Sequence, residues 1–280
     1  MPRIWSLLPR FIAGVLFAAF FASGLALAET LTVVSFNVES DRDTDPAKVA
    51  DDIARISSSA SVDLFGLAEV QNETDAGIFQ KAAGRDSGRF RYLLAKHGNE
   101  DRLAILYNYD ALEFLDVSEL ERFPGSRKAL VGRFRHKTAG LEFLFIVNHF
   151  NRGDIERRRR QASLIRDWVL DQPLPAVLVG DYNFDFDPKT GRGNSAFEIF
   201  VAKSGLDWLQ PQCVAAGSCP ATGTQCDSRY SSISDFVFIA DKRRGWQGVS
   251  DILLQRADYC ERERNGYADH RPVLGLIDIR

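Results

Sequence analysis

Six groups of polar side chains lie where apolar segments of the sequence begin or end. Carboxylates can accept a proton from water or bind a hard cation, and amides can hold a water molecule or a phosphoryl oxygen. Imidazoles exchange protons near neutral pH. These residue types could therefore support hydrolysis at a metal ion if the fold gathers them. The six groups are Asn37 with Glu39, Glu69, His149, Asp181 with Asn183, Asp235, and Asp269 with His270.

The pattern is clearest over residues 176–185, which read AVLVGDYNFD. The apolar run 176–179 predicts a buried strand. We expect this strand to stop at Gly180, where a residue without a side chain lets the chain turn. Asp181 and Asn183 follow, and side chains two positions apart on an extended backbone point to the same side. An Asp-X-Asn sequence is also an ordinary turn, so the interpretation depends on the other five groups.

The sequence contains both apolar strands and amphipathic helices, which is typical of an α/β domain. Open α/β sheets usually place their chemistry at the ends of buried strands. Helices are predicted at residues 45–57, 73–83, 154–170 and 195–204. Strands are predicted at 31–37, 62–70, 90–95, 103–107, 112–115, 129–134, 141–147, 176–179, 233–240 and 273–279. Residues 211–230 lack periodicity and are predicted to form a surface loop.

Residues 1–28 have the features of a secretory signal peptide. Arg3 and Arg10 precede an uncharged apolar stretch, and Ala-Leu-Ala comes directly before Glu29. This small-X-small site favours cleavage over the alternative, an uncleaved anchor, although the apolar stretch is nearly long enough to span a bilayer. We therefore expect one domain over residues 29–280, in the periplasm or outside the cell.

The net charge of this mature chain argues against tight, non-specific coating of DNA. Of the 35 Lys and Arg residues, only Arg3 and Arg10 precede Glu29, so 33 remain against 38 Asp and Glu, a net charge of −5. A protein whose whole surface binds nucleic acid is usually basic. A local basic groove is still compatible with this charge. Four arginines at 157–160 are a candidate part of such a groove, although charge runs more often form a solvated helix face.

The four cysteines, Cys213, Cys219, Cys226 and Cys260, lie in the last third of the chain. An even number of cysteines in a secreted protein predicts two disulfides. Of the three possible pairings we favour Cys213–Cys219 with Cys226–Cys260, because the first two cysteines are close in sequence and flank Gly217. A zinc site is the alternative, but the spacing is irregular and no histidine is nearby.

The motifs around the polar groups resemble those of the endonuclease/exonuclease/phosphatase superfamily. This superfamily includes pancreatic-type deoxyribonuclease, AP endonucleases, neutral sphingomyelinases and inositol polyphosphate 5-phosphatases. The resemblance implies a four-layer α/β sandwich, with two packed mixed β-sheets flanked by helices. It also implies phosphoester cleavage by in-line attack of water, with Mg²⁺ or Mn²⁺ as cofactor. The motifs are Ser35-Phe-Asn-Val-Glu39, Gly66-Leu-Ala-Glu-Val-Gln71, Asn148-His149, Gly180-Asp-Tyr-Asn183, Ser234-Asp235-Phe-Val-Phe and Ala268-Asp-His-Arg-Pro-Val273.

The resemblance implies a role for each residue of the metal and water sites. Glu69 would be the main metal ligand, helped by Asn37 and by Asp269, directly or through water. Asp181 would orient or deprotonate the attacking water. Asn183 would hold a phosphoryl oxygen or that water.

The resemblance also implies roles for two histidines. Asp235 would accept a hydrogen bond from His270, which would act on the phosphate as an acid, a base or an electrostatic stabiliser. His149 would contribute a second imidazole at the scissile phosphate. Asp101 resembles the carboxylate that orients this histidine in the deoxyribonuclease branch.

The sequence departs from the superfamily pattern at two places. Glu39 stands where many members carry Asp and the deoxyribonuclease branch carries neither, so no role is assigned to it. Asn148-His149 occupies the place of a Tyr in AP endonucleases, which argues against abasic-site repair, as the signal peptide does. His97 and His136 match no motif and are predicted to be surface or loop residues.

Three functions are compatible with this chemistry. The first is a secreted nuclease acting on DNA or RNA. The second is a phospholipase C, similar to sphingomyelinases, or a phosphatase on a lipid or small phosphoester. It would need an exposed apolar loop, and residues 211–230 contain no clear one. The third is a non-catalytic binding or toxin-like module, which we disfavour because every matched catalytic position holds a competent residue. We expect a monomer without a stable membrane anchor.

Overall fold

The computed structural model describes residues 29–39, 44–85, 88–241, 245–255, 258–262 and 266–279. The predicted signal peptide, residues 1–28, lies outside the described residues. Within the described ranges, none of the helices combines the length and the apolar character that a membrane crossing requires.

The described strands form two six-stranded sheets. In chain order they are β1 Glu29–Asn37, β2 Leu64–Val70, β3 Phe90–Leu94, β4 Arg102–Asn108, β5 Leu112–Glu119, β6 Leu130–His136, β7 Leu141–His149, β8 Ala176–Phe186, β9 Asp207–Trp208, β10 Ile233–Ala240, β11 Gln247–Ile252 and β12 Val273–Ile279. The first sheet has the order β11-β12-β1-β2-β4-β3 and the second the order β5-β6-β7-β8-β10-β9. The pairs β1/β2 and β7/β8 are parallel and the other neighbours are antiparallel, so both sheets are mixed as predicted.

Helices cover the outer face of each sheet. In chain order they are α1 Pro46–Ser59, α2 Glu73–Gly84, α3 Ile155–Asp171, α4 Ser195–Val201, α5 Gln212–Ala216 and α6 Tyr259–Arg262. The apolar faces of α1 and α2 pack on the first sheet. The apolar face of α3 and the buried residues of α4 join the core of the second sheet. The result is the four-layer α/β sandwich implied by the resemblance.

The two sheets are in close contact between β2 and β8. A Cβ atom added to Gly66 on β2 would lie 2.2 Å from Val179 Cγ2 on β8, so only glycine fits there. The backbone N–H of Gly180 donates to Ser35 Oγ at 2.9 Å, which joins β8 to β1 across the sandwich. The close contact at Gly66 and the hydrogen bond between Gly180 and Ser35 therefore fix the spacing of the strands that carry the polar groups.

The expected end of β8 at Gly180 is wrong, because the strand continues to Phe186. Gly180 pairs with Asn148, and a Cβ atom at Gly180 would lie 1.9 Å from the Asn148 carbonyl oxygen. The glycine is required for this close approach rather than for a turn. The strand bends further along, where Asn183 and Asp185 adopt left-handed backbone angles.

Two short strands, β9 and β11, were not predicted. Strand β9 has only two residues, and β11 reads QGVSDI, which is too polar to stand out in the sequence. Both are held in place by pairing with a stronger neighbour, β10 and β12 respectively.

The two histidines without a motif differ in their surroundings. His97 is exposed, as predicted, and its Nδ1 lies 2.7 Å from Glu119 Oε2. The prediction for His136 is wrong, because it is buried at the end of β6 and accepts a hydrogen bond from the Ala139 N–H. Burial lowers the pKa of His136.

Both favoured disulfides are confirmed, Cys213–Cys219 and Cys226–Cys260. The segment 211–230 is only partly the surface loop that was predicted. It contains the short helix α5, and the side chains of Thr224 and Gln225 are completely buried. The segment therefore reaches into the interior of the protein.

Candidate active site

The pairing of the strands brings the six polar groups to one edge of the sandwich. The parallel strands β1 and β2 end at this edge, as do the parallel strands β7 and β8. Strand β12 is antiparallel to β1, and β10 is antiparallel to β8, so both of these strands begin there. The polar groups towards the ends of β1, β2, β7 and β8 therefore lie at the same edge as those near the starts of β10 and β12.

Asp181 lies at the centre of the site and is 2% exposed. Its Oδ2 is 3.5 Å from His149 Nε2 and 3.8 Å from His270 Nε2. Asn37 Nδ2 donates to the same oxygen at 3.3 Å. Burial alone would raise the pKa of Asp181, but the imidazoles of His270 and His149 hold it below its ordinary value. Asp181 is therefore an ionised carboxylate between two imidazoles.

Each of the two imidazoles has a second carboxylate beside it. His270 Nδ1 is 2.7 Å from Oδ2 of the fully buried Asp235. His149 Nδ1 is 3.4 Å from Oδ1 of Asp101, which also pairs with Arg127. The structure thus places Asp235 and Asp101 next to the histidines that the resemblance associates with them.

The carboxylates around His270 favour the charged, imidazolium form of its side chain. Burial disfavours the charged ring, but the carboxylates of Asp235 and Asp269 raise the pKa of His270 well above its ordinary value. Burial also raises the pKa of Asp235, and the charge of His270 opposes this effect. A positive imidazole held by a buried partner is suited to stabilise negative charge on a substrate.

A second cluster of oxygen atoms adjoins Asp181. Asn37 Nδ2 also donates to Glu69 Oε1 at 2.8 Å, while Asn37 Oδ1 accepts the N–H of Glu39 at 3.0 Å. Glu39 Oε2 in turn accepts the N–H of Asp269 at 3.0 Å. This chain of hydrogen bonds links the three residues for which the resemblance implies metal binding, with Asn37 facing the carboxylates through its amide nitrogen.

The residues present fit a divalent cation. Glu69, His149 and Asp181 each offer a ligand atom, and these atoms lie within 4.8 Å of one another. Asp269 Oδ1 is buried and has no hydrogen-bond partner among the described residues. Carboxylate oxygens are the ligands that hard cations such as Mg²⁺ prefer.

Asn183 is tightly held beside Asp181. Its N–H donates to Asp181 Oδ1 at 2.9 Å and its Nδ2 donates to the Phe150 carbonyl at 3.0 Å. Its φ of 49° is in the left-handed region, as are those of Glu69 (63°) and Glu39 (36°). Such angles are uncommon outside glycine and tend to cluster at functional sites. The strained backbone at these three residues is consistent with a functional site at this edge of the sandwich.

Sequence reasoning missed two residues of the site. Gln225 is completely buried, its Nε2 donates to Asp269 Oδ2 at 2.8 Å, and the same nitrogen is 3.1 Å from His270 Nε2. Arg152 Nε donates to Asn183 Oδ1 at 3.2 Å. The position of Arg152 three residues after His149 was the available signal. Gln225 gave none, because its contacts depend on pairing with a distant segment.

Solved structures confirm the fold. An endonuclease/exonuclease/phosphatase family protein from Bacteroides thetaiotaomicron is 19% identical, with a TM-score of 0.67 over 90% of this chain and 99% of that chain. The mannosyl-6-phosphatase Bt3783 from the same species is also 19% identical, with a TM-score of 0.65 over 88% and 99%. D. rerio TDP2 complexed with single strand DNA product is 13% identical, with a TM-score of 0.67 over 89% and 98%. At these identities the likeness shows the fold alone.

Sequence comparison identifies the family independently. No curated protein matches the chain. A family model, described as the Endonuclease/Exonuclease/phosphatase family, matches residues 34–238, which include the motifs from β1 to β10. The chain therefore belongs to the endonuclease/exonuclease/phosphatase family.

Proposed function

We propose that this protein is a secreted, divalent-metal-dependent nuclease that hydrolyses phosphodiester bonds by in-line attack of water. Members of its family are hydrolases of phosphoesters and generally depend on a divalent metal. The observation that carries the proposal is the position of Asp181 between His149 and His270, each with a second carboxylate beside it. Diester cleavage needs a base for water and an acid for the leaving oxygen, and this arrangement supplies both.

Glu69 would be the main ligand of the cation, with Asn37 and Asp269 beside it. Asn37 and Glu39 connect these carboxylates by hydrogen bonds, which restricts their orientation. When bound, Mg²⁺ or Mn²⁺ would act as a Lewis acid that neutralises charge on the phosphate. The protein's own contribution is to hold the oxygen ligands together before the substrate arrives.

Asp181 is the residue that we assign to the attacking water. Its pKa is held below the ordinary value, so it is ionised at neutral pH and can accept a hydrogen bond from water. Asn183 donates its backbone N–H to the other carboxylate oxygen, which fixes the direction in which Asp181 points. We assign to the Asn183 amide a contact with a phosphoryl oxygen or with the same water.

The two histidines would act on the phosphate from either side of Asp181. His270, whose charge is favoured by Asp235 and Asp269, would stabilise the negative charge that develops on the phosphoryl oxygens. His149, beside Asp101, would provide the second imidazole and can donate a proton to the leaving oxygen.

Two further observations support a secreted nuclease. Both disulfides fit an oxidising compartment outside the cytoplasm. The structure of D. rerio TDP2 with single strand DNA product indicates that this fold accommodates a nucleic-acid strand. The alternative of a phosphatase or a phospholipase C on small or lipid phosphoesters enters the experiment as a competing outcome.

A nicking assay tests the proposal. The oxidised protein is incubated with supercoiled plasmid in Mg²⁺, in Mn²⁺ and with chelator, beside His270→Ala, while a generic small phosphodiester and lipid phosphoesters are assayed in parallel. We expect nicking that requires both metal and His270. Intact plasmid in every lane, together with His270-dependent hydrolysis of a small or lipid phosphoester, would refute the nuclease and favour the alternative.

A further inference from the structure

Arg152 places a guanidinium group at the rim of the candidate active site, where its charge interacts with those of Asp181 and Asp227. It is exposed and lies in the loop between β7 and α3, with its Nε bonded to Asn183. Its two terminal nitrogens have no hydrogen-bond or ion-pair partner among the described residues. A guanidinium group whose fork is available can bind a phosphate through two parallel hydrogen bonds.

An aromatic ring lies directly beside this guanidinium. The Arg152 Cζ is 4.2 Å from the centroid of the Tyr230 ring, and this tyrosine is 39% exposed. Arg229 is also near the ring, at 5.5 Å, but its charge is paired with Asp227. Stacking of this kind holds Arg152 in one orientation and leaves part of the aromatic ring open to solvent.

The arginine run at 157–160 supports the loop that carries Arg152. The buried Arg158 donates through Nη1 to the Arg152 carbonyl at 2.7 Å and to the Asn151 carbonyl at 3.0 Å. Arg159 pairs with Glu156 on the helix surface. The run is therefore mainly structural, and it fixes the backbone of the residue whose charge is available.

We propose that Arg152, together with the Tyr230 ring, is a subsite for a second phosphate of a polynucleotide strand, next to the scissile phosphate. The guanidinium is anchored on Asn183, which lies two residues along β8 from Asp181, so it lies beside the reacting group. The exposed part of Tyr230 provides a stacking surface for the adjoining base or sugar, as in many single-strand binding sites. The inference rests on the proposed nuclease function.

The subsite predicts a preference that depends on the length of the substrate. A polynucleotide carries phosphates on both sides of the scissile bond, whereas a sugar monophosphate or a small diester has only one phosphate. Only the polynucleotide can bind the catalytic centre and Arg152 together. Each phosphate contact also releases counterions, so its loss reduces the salt dependence of binding by about one unit of log–log slope.

The test compares Arg152→Ala and Arg152→Lys with wild type and with Arg160→Ala. Arg160 is a matched control, because it is an exposed arginine on α3 that lines a separate open groove with Arg122 and Asp167. Each protein is assayed with a single-stranded oligonucleotide over a range of salt concentrations and with bis(p-nitrophenyl) phosphate. Thermal unfolding checks that each variant is folded.

We expect Arg152→Ala to reduce kcat/KM at least about tenfold more on the oligonucleotide than on the small diester, mainly through KM. The salt slope should fall by about one unit, Arg152→Lys should restore part of the loss, and Arg160→Ala should resemble wild type. Equal losses on both substrates would place Arg152 at the reacting phosphate and overturn the subsite. Unchanged oligonucleotide cleavage would overturn it as well, while leaving the nuclease function intact. If the wild-type protein hydrolyses only the small diester, both the subsite and the proposed nuclease function are refuted.

Discussion

The backbone N–H of Cys226 donates to the carbonyl oxygen of Asp269 at 2.7 Å. The N–H of Arg271 donates to the Thr224 carbonyl, also at 2.7 Å, so residues 224–226 run alongside residues 269–271. This pairing places Gln225 against Asp269 and His270. The disulfide of Cys226 is thus one residue from a side chain that touches the candidate active site.

Removal of the Cys226–Cys260 disulfide should therefore reduce both activity and stability. The double variant Cys226→Ser/Cys260→Ser is compared with Cys213→Ser/Cys219→Ser. The first bridge closes a loop with a sequence separation of 34 and the second a loop with a separation of 6. Chain entropy gives a loss of about 4 kcal/mol of unfolding free energy for the first and about 2 kcal/mol for the second.

Urea unfolding and kcat of the folded protein measure the two effects separately. We expect kcat to fall about tenfold or more only in the Cys226→Ser/Cys260→Ser variant, because Gln225 then loses its support against Asp269 and His270. Equal kcat values for the two double variants would show that the strand pairing alone positions Gln225.

Much of the fold could be predicted from the sequence, because apolar strands followed by polar residues are a local pattern. The end of β8 could not, since it depends on how closely Gly180 approaches Asn148 on the neighbouring strand. Strands β9 and β11 were missed for a related reason. Their own sequences are short or polar, and their neighbours determine their conformation.

The candidate site likewise contains residues that the sequence predicts and residues that it does not. Asp235 and His270 could be paired from their motifs, and the structure places them 2.7 Å apart. Gln225 has no motif, because it lies on a segment that packs against the site from elsewhere in the chain. Arg152 follows His149 closely in the sequence but belongs to no motif. The resemblance also gave no way to see that Asn37 directs its amide nitrogen towards Glu69, which only the hydrogen-bond network shows.

Asp235→Asn should lower kcat by about 100-fold or more while the protein stays folded. The Asn side chain has nearly the same shape, but it loses the negative charge that favours the His270 imidazolium. Asp63→Asn is the matched control, because Asp63 is also a buried carboxylate but bonds to the Thr32 N–H instead of a histidine. Steady-state kinetics at neutral pH check this prediction, and a similar loss of kcat in both variants would contradict it.

Glu69→Gln should weaken divalent-metal binding by at least about tenfold, since it removes one carboxylate charge from the oxygen cluster. Glu39→Gln is the control, because its amide oxygen can still accept the hydrogen bond from the Asp269 N–H. Calorimetric titration with Mn²⁺ measures the affinity without relying on turnover. If both variants bound Mn²⁺ as wild type does, Glu69 would not be a ligand.

Gly66→Ala should lower the unfolding free energy by about 1–3 kcal/mol or more, because its methyl group would overlap Val179 between the two sheets. Gly77→Ala on α2 should instead raise it by about 0.5–1 kcal/mol. A Cβ atom at Gly77 meets no other atom within 4 Å, and alanine favours the helix. Urea titration of both variants tests whether the unfolding free energy changes in opposite directions. An unchanged unfolding free energy in Gly66→Ala would mean that the sheets can move apart at no cost.

The stability of the protein should depend on the ionisation of Asp63. Burial raises the pKa of Asp63 to about 6, although the hydrogen bond from the Thr32 N–H opposes this shift. In the unfolded chain an Asp titrates near 4. Between about pH 4 and pH 6 the folded protein therefore binds more protons, so this group's contribution to stability falls as the pH rises through that range and is constant above it.

Asp63→Asn should remove this dependence, because the Asn oxygen can still accept the Thr32 hydrogen bond but carries no charge. The unfolding free energy of wild type relative to Asp63→Asn should fall by about 1 kcal/mol between pH 5 and pH 7.5. Urea denaturation of both proteins at the two pH values measures this difference. A constant difference would show that Asp63 is ionised in the folded protein at pH 5, with the Thr32 hydrogen bond and surrounding water offsetting the cost of burial.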